Sequence, residues 1–354
     1  MESTADNGAS ETGAEAGARR PAHPAVMLLG LTVGLGVILV LLLMVFILPS
    51  LKSGAHDLRV GIVGTPSAVT SFEQSLAAVD PDGYDPEVYE SEAALRTAIE
   101  NRDVVGGFVV DDVHVNALVA GAGSATISGN LAASAQAIGK MAGREVNVDD
   151  IVPLPKGDPT GIGIGGLAFP LVFGGIVPVV AFRKIFPRRE GWYLAGLVGF
   201  SLVGGLIVAC MLVFAFGSID AGLWSTLFWA VAGSIALGIA ALAFPLAGLQ
   251  SVFGAKGFTL GAMVMMFLGN PFAGIAATAA WLPSWAAVVG QILPPGADGT
   301  LVRAAAYFHG AGGLTAGLTL ATWVAVGLVL FGVGARKNAM SSATGAPAAG
   351  QTGA

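Results

Sequence analysis

The stretch "FTLGAMVMMFLGNPFAGIAATAAWLPSWAAVVGQILPPGAD", residues 258–298, decides how this chain is built. No charged residue lies between Lys256 and Asp298. A straight helix of that length would extend roughly 60 Å, about twice the roughly 30 Å of a bilayer's hydrocarbon core. The sequence forbids such a rod: Asn270-Pro271, Pro283 and Pro294-Pro295 interrupt it, because proline removes a backbone donor and clashes with a helix interior. The reading is a helix up to Asn270 and then two short helices, about 272–281 and 284–293. They form a re-entrant or interfacial hairpin, with Pro294-Pro295-Gly296 as its stop and turn. Asp298 reads as the cap of a further short helix over 299–308 that carries Arg303. Non-helical backbone at that depth has to be buried in protein or line a watered space.

Composition agrees with a membrane setting. Hydrophobic residues make up 54% of the chain and charged residues only 11%, against about a quarter charged in soluble domains. The formal charge of −6 averages two unlike parts, since only Glu190, Asp220 and Asp298 are acidic after Thr160. The single cysteine, Cys210, excludes an intrachain disulfide.

Working outward, residues 1–24 are small, polar and acidic and read as a disordered cytoplasmic N-terminus. Residues 25–49 form a first apolar span behind Arg19 and Arg20. Residues 50–159 hold sixteen acidic and seven basic residues and read as a small extracytoplasmic α/β domain. Its strands are expected at "LRVGIVG" (58–64), "DPEVYE" (85–90), "VVGGFVV" (104–110) and "HVNALVA" (114–120), with "VNVDDIVPLP" as an extended exit. Its helices are expected over 66–79 behind Thr65, over 91–103 behind Ser91, and over 128–141. Residues 160–335 make a five-helix transmembrane part with the broken hairpin at 270–296, and residues 336–354 a disordered cytoplasmic tail.

The fold class is thus an α-helical integral membrane protein of six transmembrane helices, with a hairpin before the last and an inserted α/β domain. Under that count Arg19, Arg20, Arg183, Lys184, Arg188, Arg189, Lys256, Arg336 and Lys337 fall on one side, leaving Arg303 in the short loops of the other. This is the asymmetry of the positive-inside rule. It places both termini in the cytoplasm.

Several chemistries have no residues to carry them. There is no phosphate-binding G-x-x-x-x-G-K-[ST] loop, and "GIVGTP" lacks the third glycine of a dinucleotide fingerprint. The four histidines show no ligand spacing, so no metal or cofactor is expected, nor nucleic acid. No acid, base and nucleophile pair up, so no enzyme is expected. Spans one to four and six carry no ionisable residue inside, which argues against proton-driven transport.

Two stretches carry a family resemblance: "PEVYESEAALRTAIENRDVVGGFVV" (86–110) and "FLGNPFAGIAATAAWLPSWAAVVGQILPPGADGTLVRAAAYFHGAG" (267–312). With six spans and an insert after the first, residues 25–335 resemble the ABC-2 type permeases, in their phage-infection-protein-like actinobacterial branch. The resemblance implies a dimeric membrane subunit that exports a lipid, drug or envelope precursor with a separate ATPase. That family couples to its ATPase through an amphipathic helix between spans two and three. Here the loop is "FRKIFPRREGW" (182–192), short and interrupted by Pro187, with Arg183, Lys184, Arg188, Arg189 and Glu190 as its coupling candidates. The alternative is a non-transporting envelope protein whose α/β domain binds a ligand or partner. On the other side of the bilayer the candidates are Arg303, Asp298, Asn270 and His309.

Overall fold

A computed structural model describes residues 23–187 and 189–344, with the side chains of 341–344 left aside. The expected disorder of 1–22 and 345–354 lies outside the described residues. The chain divides into two units, residues 1–44 and 45–354. The first holds most of α1 (Pro24–Leu51), which is apolar on every side. That is the pattern of a helix in contact with lipid.

The α/β domain begins the second unit. A five-stranded sheet has the order β2-β1-β3-β4-β5, from β1 (Leu58–Gly64), β2 (Tyr84–Val88), β3 (Gly106–Val110), β4 (His114–Val119) and β5 (Glu145–Asp150). All neighbours are parallel except β3 and β4. Alternation along the strands sends Val60, Ile62, Phe108, Val110, Val115 and Ala117 into one core, shared with α2 (Pro66–Val79) and α4 (Ala125–Ala142). The opposite face receives α3 (Glu92–Glu100) through Leu95, Ala98 and Ile99. Gly61 and Gly107 stand side by side in the register. A Cβ on either would strike Leu95, so the glycine pair is the notch in which α3 seats. Thr65 and Ser91 accept from Ala68 N–H (3.4 Å) and Ala94 N–H (3.2 Å) as expected of caps. The expected exit segment is instead a true edge strand, because β5 pairs along its length with β4. Helix α4 starts three residues earlier than expected, at a cap supplied by Ser124.

Among the described residues, five helices are long and apolar enough to cross a membrane: Pro24–Leu51, Ile162–Ile185, Glu190–Ala215, Thr226–Gly269 and Leu314–Met340. They contain α5 (Ile162–Gly165), α6 (Ala168–Ile185), α7 (Glu190–Cys210), α8 (Thr226–Val264) and α11 (Leu314–Thr344). The fourth is not a rod. Gly254 has φ 67° and ψ −152°, and the chain reverses there. A Cβ on Gly261 would lie 2.7 Å from Leu249 and 2.9 Å from Leu246. In a straight helix, fifteen residues separate positions by roughly 22 Å. The two arms of α8 are therefore antiparallel, as the sequence reading of two spans about a loop at 250–258 requires. The second arm, ending in a π-helical turn at Met265–Gly269, is shorter than the roughly 20 residues of a full span. Helix α11 runs on to Thr344, past the expected boundary at 335.

The hairpin departs from expectation in detail. Residues 272–281 are not a helix: only Ala279–Trp281 makes a 3-10 turn. Gly274 and Thr278 hold positive φ, at 61° and 70°, which no helix accommodates. Helix α9 (Ser284–Ile292) forms as expected. Pro294-Pro295-Gly296 does not stop the chain but opens α10 (Pro294–Tyr307). First-turn N–H groups have no intrahelical partner, so proline loses nothing there. Asp298 is consequently inside a helix, and Leu293 occupies the cap position assigned to Asp298.

Candidate ligand-binding cavity

Three side chains organise the region where the α/β domain meets α10. Arg303 lies in the penultimate turn of α10 and is only 5% exposed. Its Nη2 donates to the carbonyl of Ile275 at 2.7 Å. Ser124, the cap of α4, donates from Oγ to the carbonyl of Ala277 at 2.9 Å. These two bonds satisfy carbonyls of the irregular segment that prolines and glycines leave without helical partners. Gln291 of α9 completes the frame. Its Nε2 donates to the Gly296 carbonyl at 3.2 Å, and its Oε1 accepts from Thr300 Oγ1 at 2.8 Å.

Arg102 closes the region from above. It follows α3 with φ 63°, the left-handed position usually given to glycine. Its N–H donates to the Ile99 carbonyl (3.0 Å), and that of Asp103 to the Ala98 carbonyl (2.8 Å). This is the double bond pattern of a Schellman cap. The guanidinium lies 5.2 Å from the ring centre of Phe308, and Phe308 packs with Leu95, Ala98 and Ile99 under the domain. Burial lowers the pKa of Arg102 from its ordinary value.

Between these groups is a cavity of about 250 Å³. Arg102, Ser124, Gln291, Thr300 and Arg303 line it with Val105, Ile127 and Phe308 among its apolar walls. Among the described residues, no carboxylate lines it. Nη1 of Arg102 and Nε of Arg303 are buried without a hydrogen-bond partner. Neither arginine is in an ion pair among the described residues.

The sequence candidates separate. Arg303 reaches the cavity; it neither snorkels into solvent nor pairs with Asp298. Asp298 is fully buried away from the cavity, against Gly238 of α8, with both carboxyl oxygens unpartnered. An ionisable group thus packs against the middle of α8, although the sequence showed the spans there free of one. Asn270 ends the second arm of α8, its carbonyl accepting from Ala273 N–H at 3.2 Å, and does not line the cavity. His309 is exposed with φ 51°. Arg102, Ser124 and Gln291 escaped sequence reasoning: Arg102 resembled any helix-end arginine, and only the docking of domain on hairpin gives it a cavity to face.

At the opposite end, Arg183 bonds Glu190 through Nη1 at 2.9 and 3.0 Å, reaches Ser251 Oγ at 3.3 Å and stacks 4.0 Å from the ring centre of Tyr193. Two coupling candidates are therefore engaged within the chain. Lys184 and Arg189 are exposed, and Arg188 lies outside the described residues. Among the described residues, no helix stands between the end of α6 at Ile185 and the start of α7 at Glu190. No protein family model, curated protein or solved structure matches this chain.

Proposed function

We propose that this chain is a permease-like membrane component that binds a small ligand where its α/β domain meets the membrane part, and exports it or its parent molecule. The observation that carries this reading is the cavity itself, built jointly by α3, α4 and the α9–α10 hairpin. Ligand sites favour such joints between units. The resemblance to ABC-2 type permeases supports the export reading and implies a second copy and a separate ATPase as partners. Six crossings follow if both arms of α8 traverse the bilayer, and the α/β domain then lies outside the cell. Supporting that orientation, Arg183, Ser251 and Asn338 meet at the end opposite the domain. Lys184, Lys256 and Arg336 belong to the same end, as the positive-inside rule asks of a cytoplasmic face.

The second reading is an envelope protein that binds the ligand without transporting it. It is favoured by the engagement of Arg183 with Glu190, Tyr193 and Ser251, which withdraws two of the coupling candidates from an ATPase.

Native mass spectrometry of the full chain tests the cavity. Ala280 is an exposed residue at its rim, and Ala280→Trp is expected to remove a small molecule that the wild type retains. An unchanged set of bound molecules in that variant overturns the reading. Co-purification of an ATPase in mild detergent decides for export, and its repeated absence for the second reading.

A further inference from the structure

We infer that the cavity between the α/β domain and the α9–α10 hairpin is an anion site, in which Arg102 and Arg303 together hold a phosphate or carboxylate group. The inference rests on the cavity reading above and names the chemistry of its ligand.

The lining divides sharply into spent and unspent polar groups. Ser124 Oγ, Thr300 Oγ1 and Gln291 Nε2 each donate to a protein acceptor. The lining atoms that are fully buried without a partner are both cationic: Nη1 of Arg102 and Nε of Arg303. Guanidinium groups donate in a fixed planar fork that matches the oxygens of carboxylate and phosphate. Arg303 and the Nη1 end of half-buried Arg102 are withdrawn from water without a counter-charge among the described residues, which is costly unless the charge is paired. Their like charges also work against each other across one space. A single anion between them relieves desolvation and repulsion at once.

A purely structural role accounts for only part of each side chain. Arg303 braces the Ile275 carbonyl through Nη2, which leaves Nε over. Arg102 stacks on Phe308, and a leucine would cover that ring without burying a charge. The volume sets the size of the ligand. Pockets for whole drug-sized molecules are roughly 300–1,000 Å³, so a cavity of about 250 Å³ suits a small anion or the headgroup of a larger amphiphile. The apolar walls of Val105, Ile127 and Phe308 would take the carbon adjoining that group.

The test uses the full chain in neutral detergent, and again in nanodiscs. Thermal unfolding is followed against inorganic phosphate and acetate at constant ionic strength, with chloride as the reference. In nanodiscs, phosphatidate in a phosphatidylcholine background replaces the free anion. The expected result is a saturable rise in the unfolding temperature beyond that given by chloride. Arg102→Gln and Arg303→Gln should each weaken the apparent affinity by about tenfold or more, the loss typical of one charged hydrogen bond. A response to free phosphate or acetate identifies a soluble anion; a response only to phosphatidate identifies a lipid headgroup. Both support the inference. It is overturned if no anion differs from chloride in either setting, or if both Gln variants respond as the wild type does. Should Arg303→Gln fail to fold, Arg102→Gln decides alone, since the Arg102 side chain contacts the ring of Phe308 and braces no backbone. Ala280→Trp separates the two claims. If it abolishes binding while the Gln variants do not, the cavity stands and the anion chemistry fails. If it changes nothing, the cavity reading fails as well.

Discussion

Asp298 is fully buried with neither carboxyl oxygen hydrogen-bonded, and it occupies the space that a side chain on Gly238 would need. Removing a buried polar group that has no partner is nearly neutral or stabilising. Asp298→Ala is therefore expected to leave the unfolding temperature in detergent unchanged or raise it. Gly238→Ala, by contrast, forces an overlap with the carboxyl and should cost about 1–3 kcal/mol, the usual penalty of overpacking. The double variant should recover most of that loss, which a double-mutant cycle measures directly. If Asp298→Ala unfolds the protein, the carboxyl has a partner that the fold depends on. The sequence marked Asp298 and Arg303 as the polar residues of this stretch. The sequence reading made Asp298 a helix cap, whereas the register of α10 sends Asp298 to α8 and Arg303 to the cavity.

Among the elements, α8 depends most on one residue. Gly254 sits at φ 67° and ψ −152°, a region that side-chain-bearing residues enter at a cost of about 1–3 kcal/mol. Gly254→Ala should destabilise the protein by that amount, seen as a lower unfolding temperature. A wild-type value would show that the reversal is not set at this position. Helix contacts elsewhere also turn on glycine: a Cβ on Gly205 of α7 would lie 2.5 Å from the Ala232 carbonyl of α8. Sequence alone does not single out this contact, because glycine is frequent throughout the chain. The α/β elements were more legible. Thr65 and Ser91 announced their helices, and alternation announced four strands. β5 was missed because its exposed, acidic alternation, Glu145 to Asp150, reads like a linker until β4 is beside it.

For the whole molecule, the meeting of α6, α7, α8 and α11 at the end opposite the domain predicts sidedness. In a background lacking Cys210, Asp112→Cys in the β3–β4 turn and Lys256→Cys beside the α8 reversal should react with a membrane-impermeant reagent from opposite faces. Labelling of both from one face would sink the six-crossing topology. By itself the sequence determined the membrane setting, the inserted α/β domain and the interruption of the long uncharged stretch. Each of these follows from local composition, periodicity or proline chemistry. Only the tertiary structure decided that Pro294 begins a helix. It also brought Arg102 and Arg303, two hundred residues apart, to face one cavity. Those are matters of which surfaces meet, and meeting depends on long-range packing that no local pattern encodes.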